Sequence, residues 1–567
     1  MLFRAFACLL LATPAAANPA LNSAIDSYSQ FSAQRDVAAR IHAGLAVPAL
    51  PSSSPASLKS NRQFAERLLA TIAAIDPATL SESERLDLGA LRHQLRTLAH
   101  EEADYAYSIP GPYSLWPLDI AGLALASNPL KTPADAAAYV SMIQSLEQEL
   151  GHINARLAVQ AERGIRVPRA QIPRALTKLD GIATQSANWA NLPDERLAAL
   201  SPAERDRLRT EAKAAAARIP EAVAAIRTSF SPAYLAAAPL NVGLAQYPGG
   251  KAHYEAVAAL VTTLPATPAE LAAIGRDGLA RTNAELEAVA TALGVPGGSA
   301  GIRRYAREDA QFRDATAEKV VERYNRCLAL IEPNVPKFFA TAPKAPYRAV
   351  PADTPGMTFG YYQQPSPTNA AGEYRFPASN VESRSQANAC ALIYHELIPG
   401  HHFQRAGALE NNALPEFRRL APVTAYVEGW GEYASRLAGR MGGYADPKDR
   451  LSRLMLDSMI YTRLVVDTGL NHEGWSFDQA RSFMQQNTFL TDAEIESEVF
   501  RYGADIPAQA LAYGAGSAAL EQMRSEAEQA LGSRFDIRKF HALVLDGGQL
   551  PMDVLRGHVR RGLGLPE

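Results

Sequence analysis

The sequence predicts a mainly α-helical protein: a large, two-lobed helical fold with one small β-sheet beside the helix that carries its chemistry. Three observations carry that expectation. Helix-start signals recur along the chain, the segments after them are rich in strong helix formers, and one stretch alone breaks the pattern with Pro, Gly and aromatic residues.

The helix starts are explicit. Ser201-Pro202-Ala203-Glu204, Thr267-Pro268-Ala269-Glu270, Ser476-Phe477-Asp478-Gln479 and Thr491-Asp492-Ala493-Glu494 each fit a capping box. In that motif the first side chain accepts from the amide three residues on, and the acid or amide side chain returns to the cap nitrogen. Two of the four place proline at the first helical position, where its missing amide proton costs nothing. The Ala-, Leu-, Glu- and Arg-rich segments that follow, such as 203–226 and 268–293, combine helix propensity with apolar residues at helical spacing.

In chain order, residues 1–17 read as a secretory signal peptide: a basic start at Arg4, an apolar run from Ala5 to Thr13 and the small-residue site Ala15-Ala16-Ala17. The run is too short to span a bilayer, which needs about 20 residues. Cys8 lies too close to Arg4 for a convincing lipid-attachment site. A periplasmic or secreted protein is therefore expected, with an N-terminal helical lobe over 18–240 and a C-terminal catalytic lobe over 241–567. Within the latter, 343–380 loses the helical period; Met357 to Tyr362 and Glu373 to Phe376 read as short strands joined by a turn-forming run. The Gly- and Pro-bearing segment 439–447 reads as a loop between helices.

Composition excludes some partners. With 47% hydrophobic and 20% charged residues over 567, the chain can bury a substantial core. A formal net charge of -3 gives no electrostatic case for nucleic acid or an anionic membrane surface, and no later apolar stretch is long enough for stable membrane insertion. Removing the signal leaves Cys327 and Cys390, in a compartment that permits disulfides. Nothing resembles Cys-x-x-Cys, and the two read as small buried hydrophobes.

The chemistry concentrates at His395-Glu396-Leu397-Ile398-Pro399-Gly400-His401-His402, which holds three of the 11 histidines. A hydrolytic zinc site needs three protein ligands, an open position for water and a carboxylate to take that water's proton. In the common His-Glu-x-x-His arrangement both imidazoles share one helix face and the adjacent glutamate reaches the water. Here Pro399 lacks an amide proton and crowds the carbonyl four residues back, so a kink or bulge is expected, eased by Gly400 and delivering His401 to the metal. His402 shares the face of His395 on an ideal helix. However, seven residues also mean about 10.5 Å of rise, awkward for two imidazoles approaching one Zn2+, so His401 is favoured.

The third ligand is expected from Glu428 or Glu432, four residues apart on one helix face. One can ligate while the other orients a histidine through its second ring nitrogen. The neighbouring Tyr426, Trp430 and Tyr433 favour burial, where an unpaired acid is costly.

His-Glu-x-x-Pro-Gly-His-His together with Glu428-Gly429-Trp430 resembles the domain-of-unknown-function 885 family of bacterial proteins. Further matching runs are Tyr247 to Lys251, Thr267 to Glu270, Arg463 to Gly469, Gly474-Trp475-Ser476, Arg501-Tyr502 and Phe535 to His541. The resemblance implies a largely helical, gluzincin-like architecture, with His395, His401 and Glu428 as metal ligands and Glu396 as general base. The family commonly has a nonpolar residue where this chain has Glu432. It often has histidine where this chain has Asn471, so that residue's task falls to Asn471 or His472, or is lost.

The implied activity is zinc-dependent hydrolysis of peptide bonds in short peptides. Tyr513 and Arg501 are candidates for stabilising the developing oxyanion. His402, Glu432, Asp467, Tyr502 and Asn380 are candidates for supporting the metal or contacting substrate, and the sheet around Tyr374 to Asn380 for receiving an extended peptide as an added strand. A zinc hydrolase of a non-peptide amide or ester would use the same residues. A non-catalytic metal-binding or scaffold protein would more naturally lack Glu396.

Overall fold

The computed structural model describes residues 18–352, 360–367 and 369–566. The expected signal segment lies outside the described residues. The protein is mainly helical, with one small sheet. All four anticipated capping boxes form, heading helices Pro202–Ser229, Pro268–Ala292, Phe477–Asn487 and Asp492–Phe500. Two more head Glu82–Asp104 and Pro133–Glu162. Such boxes are legible in sequence because donor and acceptor are three residues apart. The expected loop lies between helices Thr424–Arg440 and Pro447–Thr468.

Two large hydrophobic clusters organise the interior. One joins side chains from Leu21 to Leu98 with others from Val320 to Val559, including Tyr394, Phe403 and Trp430. The second joins Val37 to Leu271 with Leu464, Ala504 and Leu511. Among the described residues no helix is long and apolar enough to cross a membrane.

The sheet comprises β1 (Tyr347–Ala352), β2 (Tyr361–Gln363) and β3 (Gly372–Pro377), in the order β1-β3-β2. β1 runs parallel to β3 with Tyr347 opposite Gly372, and β2 antiparallel with Tyr362 opposite Tyr374. β1 was not expected from sequence: Pro351 argues against a strand, yet β1 lies at an edge, where a missing amide proton is tolerated. The start of the expected strand from Met357 lies outside the described residues. Tyr374 and Phe376 are buried with their rings edge-on to Tyr324 of helix Ala317–Ile331, which seats the sheet on the core.

The cysteine expectation is corrected. Cys327 and Cys390 form a disulfide, their Cα atoms 5.1 Å apart despite 63 residues of separation. Only the packing of helix Ala317–Ile331 against helix Ala389–Glu396 brings them within bridging range, and neither spacing nor composition announces it.

Candidate metal centre

Helix Ala389–Glu396 carries His395 and Glu396 at its C-terminal end. It is fixed by the disulfide at Cys390, by Tyr394 Oη donating to Cys327 O at 2.6 Å, and by Ser435 Oγ donating to Ala391 O at 2.8 Å. The chain then leaves helical geometry at Leu397 (φ -103°, ψ -99°) and Gly400 (φ -80°, ψ -128°), and a new helix, His401–Glu410, begins. The expected kinked or bulged helix is thus a complete break. Pro399 cannot donate within a helix. Gly400 lies so close to the end of the first helix that a Cβ there would stand 1.8 Å from His395 O, so no other residue fits. Trp430 Nε1 reaches into the break and donates to the carbonyls of Pro399 and Gly400 at 3.0 and 3.1 Å.

Helix Thr424–Arg440 presents Glu428 and Glu432 toward this break. Glu428 Oε2 lies 3.6 Å from His395 Nε2 and 3.5 Å from His401 Nε2. The ligand atoms of these three side chains all fall within 4.8 Å of one another. The His–Glu spacings are longer than a hydrogen bond of 2.7–3.2 Å and near the roughly 3.4 Å edge of a tetrahedron whose ligands stand about 2.1 Å from a central zinc. The donor set, two imidazole nitrogens and a carboxylate oxygen, suits that metal.

Gly431 makes the approach possible, since a Cβ there would lie 2.6 Å from His395 Cε1. On the far side of the ring, His395 Nδ1 is 3.0 Å from Glu432 Oε1, a close contact off the line of a regular hydrogen bond. Buried Arg453 donates to Glu432 Oε2 at 2.7 Å and to Asp457 at 3.0 Å. Burial raises the pKa of Glu432, but Arg453 and His395 outweigh it and hold the carboxyl down at about 2. Glu428 is likewise held below the carboxylate range by the two histidines against the opposing effect of burial. Glu396 behaves oppositely: burial pushes it up to about 8, with the charges of Glu428 and Glu432 adding and His395 opposing.

The other anticipated residues are dispersed. Tyr513 borders the cluster, its ring 6.3 Å from that of His395 and nearly parallel, and the Arg463 guanidinium lies over the Tyr513 ring at 4.7 Å. Arg501 opens a wide π-type turn, Arg501–Asp505, and bonds Gln509 at 2.7 Å and Glu498 at 3.3 Å. Tyr502 is buried with its hydroxyl on Glu498 and Arg463. His402 turns away from the trio: Tyr362 Oη lies 3.0 Å from its Nδ1, and its Nε2 lies 3.0 Å from Ala345 O. Asp467 is buried and accepts from Tyr254 Oη at 2.6 Å and from the Ala508 amide at 3.0 Å. Asn471 bridges Leu244 N, Asp467 O and Tyr502 O, while His472 meets Glu255 at the surface; neither joins the metal cluster. Asn380 is exposed, in the left-handed region at φ 57°, just beyond β3.

Two contributors were missed by sequence reasoning. Tyr362 of β2 reaches both His401 and His402, with ring distances of 6.4 and 6.0 Å. Arg405, partly buried, bonds the neutral side chain of Gln364 at 2.9 Å, and the charge of Glu428 acts on it. Its position one turn after His401 was the available signal.

Two solved structures share the fold over nearly the full length. A protein from Colwellia psychrerythraea described as a "putative lipoprotein" aligns over 96% of this chain and 99% of its own, with a TM-score of 0.82 and 24% identity. A protein of unknown function from Shewanella oneidensis aligns over 95% and 98%, with a TM-score of 0.72 and 19% identity. No curated protein matches by sequence. The family model described as "Bacterial protein of unknown function (DUF885)" matches residues 40–559, and this chain belongs to that family.

Proposed function

We propose that this protein is a zinc-dependent peptidase acting on short peptides. The observation that carries the reading is the convergence of His395 Nε2, His401 Nε2 and Glu428 Oε2 at zinc-ligand spacing, with Glu396 next in sequence to His395. Bound there, the metal would supply Lewis acidity to a scissile carbonyl and lower the pKa of a water molecule.

The chain's own residues do the rest. Glu396, next to His395 and buried, would as its carboxylate take a proton from the attacking water and return it to the leaving amine. Glu432, anchored by Arg453, holds the His395 ring through its Nδ1 side. Tyr513 stands beside His395, where its hydroxyl can donate to a developing oxyanion; burial and the charge of Glu428 keep that hydroxyl protonated. β2 ends the sheet among the described residues, and its Tyr362 faces the histidines, so a peptide added along that edge would pass the cluster.

A periplasmic or secreted location accompanies the reading, supported by the signal-like start and by the Cys327–Cys390 disulfide, which belongs to an oxidising compartment. The test pairs metal content of the purified mature chain with cleavage of a mixed peptide library by wild type and Glu396→Gln. Zinc retained at this cluster by both, with cleavage lost only in the variant, is the expected result. A wild type without zinc at this cluster removes the central claim. Undiminished cleavage by the variant removes the mechanism.

A further inference from the structure

A second group of metal-ligating side chains stands on elements that contribute nothing to the first. His100 and Asp104 occupy the last turns of helix Glu82–Asp104, and His253 the first turn of helix Gly250–Thr262. We propose that His100, Asp104 and His253 form a second site for a divalent transition metal such as Zn2+, tying these two helices together.

The geometry supports it in four ways. His100 and Asp104 are four residues apart and therefore share a helix face. His100 Nε2 and His253 Nε2 each lie 3.4 Å from the same Asp104 Oδ1, and the three ligand atoms fall within 4.8 Å of one another. These distances are too long for hydrogen bonds and close to the roughly 3.4 Å ligand spacing around a tetrahedral zinc. His100 Nε2 is itself buried without a hydrogen-bond partner. Buried polar atoms in proteins generally find a partner, and an imidazole nitrogen facing a carboxylate it does not bond has the arrangement of a chelating pair.

The site is also held in place. The His253 ring stacks on Tyr107 at 4.2 Å and on His100 at 5.4 Å, and Tyr107 is anchored by donating to Pro248 O at 2.8 Å. The two histidine planes lie 10° from parallel, so the His100 ring must turn out of the stack for both in-plane lone pairs to meet at one ion. Asp104 remains 48% exposed, leaving the metal's outer positions to water. Three protein ligands with open positions describe a site that exchanges its metal and gains affinity because the fold already holds its ligands together.

Occupancy would couple distant parts of the chain. The residue after His253, Tyr254, donates to Asp467 of helix Pro447–Thr468 at 2.6 Å, so stapling helix Glu82–Asp104 to helix Gly250–Thr262 also steadies the support beneath the C-terminal helices. The inference is independent of the peptidase reading.

The experiment uses the full mature chain with the first cluster removed, as the double variant His401→Ala/Glu428→Ala, dialysed against micromolar Zn2+. We expect one equivalent of zinc to remain, together with a zinc-dependent rise in Tm. Adding either His253→Ala or Asp104→Asn should abolish both, with the circular dichroism spectrum unchanged. Asp104→Asn guards against a folding defect, because the exposed amide is close in shape to the carboxylate. No zinc uptake by the double variant would overturn the proposal, as would uptake unaffected by both additional substitutions, which would mark adventitious binding at surface histidines. Outcomes at the first cluster do not enter, since every arm lacks it.

Discussion

His395 Nδ1 stands 3.0 Å from Glu432 Oε1, and the opposite oxygen of that carboxylate is held by Arg453 at 2.7 Å. The carboxylate therefore pins one side of an imidazole whose other nitrogen faces Glu428. Glu432→Gln keeps the shape but loses the charge. Zinc affinity at the first cluster should fall about 10–100-fold, the usual cost of losing such a supporting carboxylate, with the circular dichroism spectrum retained. Competition with a chromophoric chelator measures it, and an unchanged affinity would mean that Glu432 serves only to neutralise Arg453.

Gly431 is a steric requirement. A methyl group there would meet His395 Cε1 at 2.6 Å. Because alanine favours a helix over glycine by about 1 kcal/mol, a stability gain would be expected on an open face. Gly431→Ala should instead lower both thermal stability and zinc content, since the ring must move or the helices must separate. Thermal melts with and without zinc would reveal a stabilised, zinc-replete variant if the idea were wrong.

The two adjacent histidines should separate cleanly. His401→Ala removes a nitrogen facing Glu428 and is expected to abolish zinc binding at this cluster and, with it, hydrolysis. His402→Ala removes contacts to Tyr362 and Ala345, and should leave the zinc at this cluster in place while costing roughly 1–3 kcal/mol of stability from unpaired buried polar groups. Metal analysis and denaturant titration of both variants decide the matter; reversed phenotypes would exchange their roles.

Asp467 provides a pH signature outside the metal cluster. Burial lifts its pKa from 3.8 to about 7, against the hydrogen bonds from Tyr254, Ala508 and Asn471. Its folded-state pKa exceeds its unfolded value, so the folded state binds more protons between the two, and stability declines as pH rises from about 4 to about 7. At about 1.4 kcal/mol per pKa unit, that decline amounts to at most about 4 kcal/mol. Asp467→Asn should be flatter than wild type over this interval in urea denaturation series. Parallel curves would show that the carboxyl ionises alike in both states.

Much of the fold and of the candidate site is legible along the chain itself. The capping boxes at Ser201, Thr267, Ser476 and Thr491 form as read, because each is decided within four residues. The mainly helical class follows from propensities summed over long segments. The local run His395 to His402 and the four-residue step from Glu428 to Glu432 marked which side chains to watch.

Other features depend on what the chain meets elsewhere. The helix break after Glu396 is settled jointly by Pro399, by Gly400 against His395 O and by Trp430 donating to the carbonyls of Gly400 and Pro399 from 30 and 31 residues away. The disulfide, the Arg453 anchor of Glu432 and the meeting of His100 and Asp104 with His253 join residues separated by 63, 21 and more than a hundred positions. Sequence by itself determined the helices and the candidate ligands, since those are functions of neighbours along the chain. Tertiary structure alone decided which nitrogen faces which carboxylate, because that depends on how helices far apart in sequence pack, down to glycines at the points of closest approach.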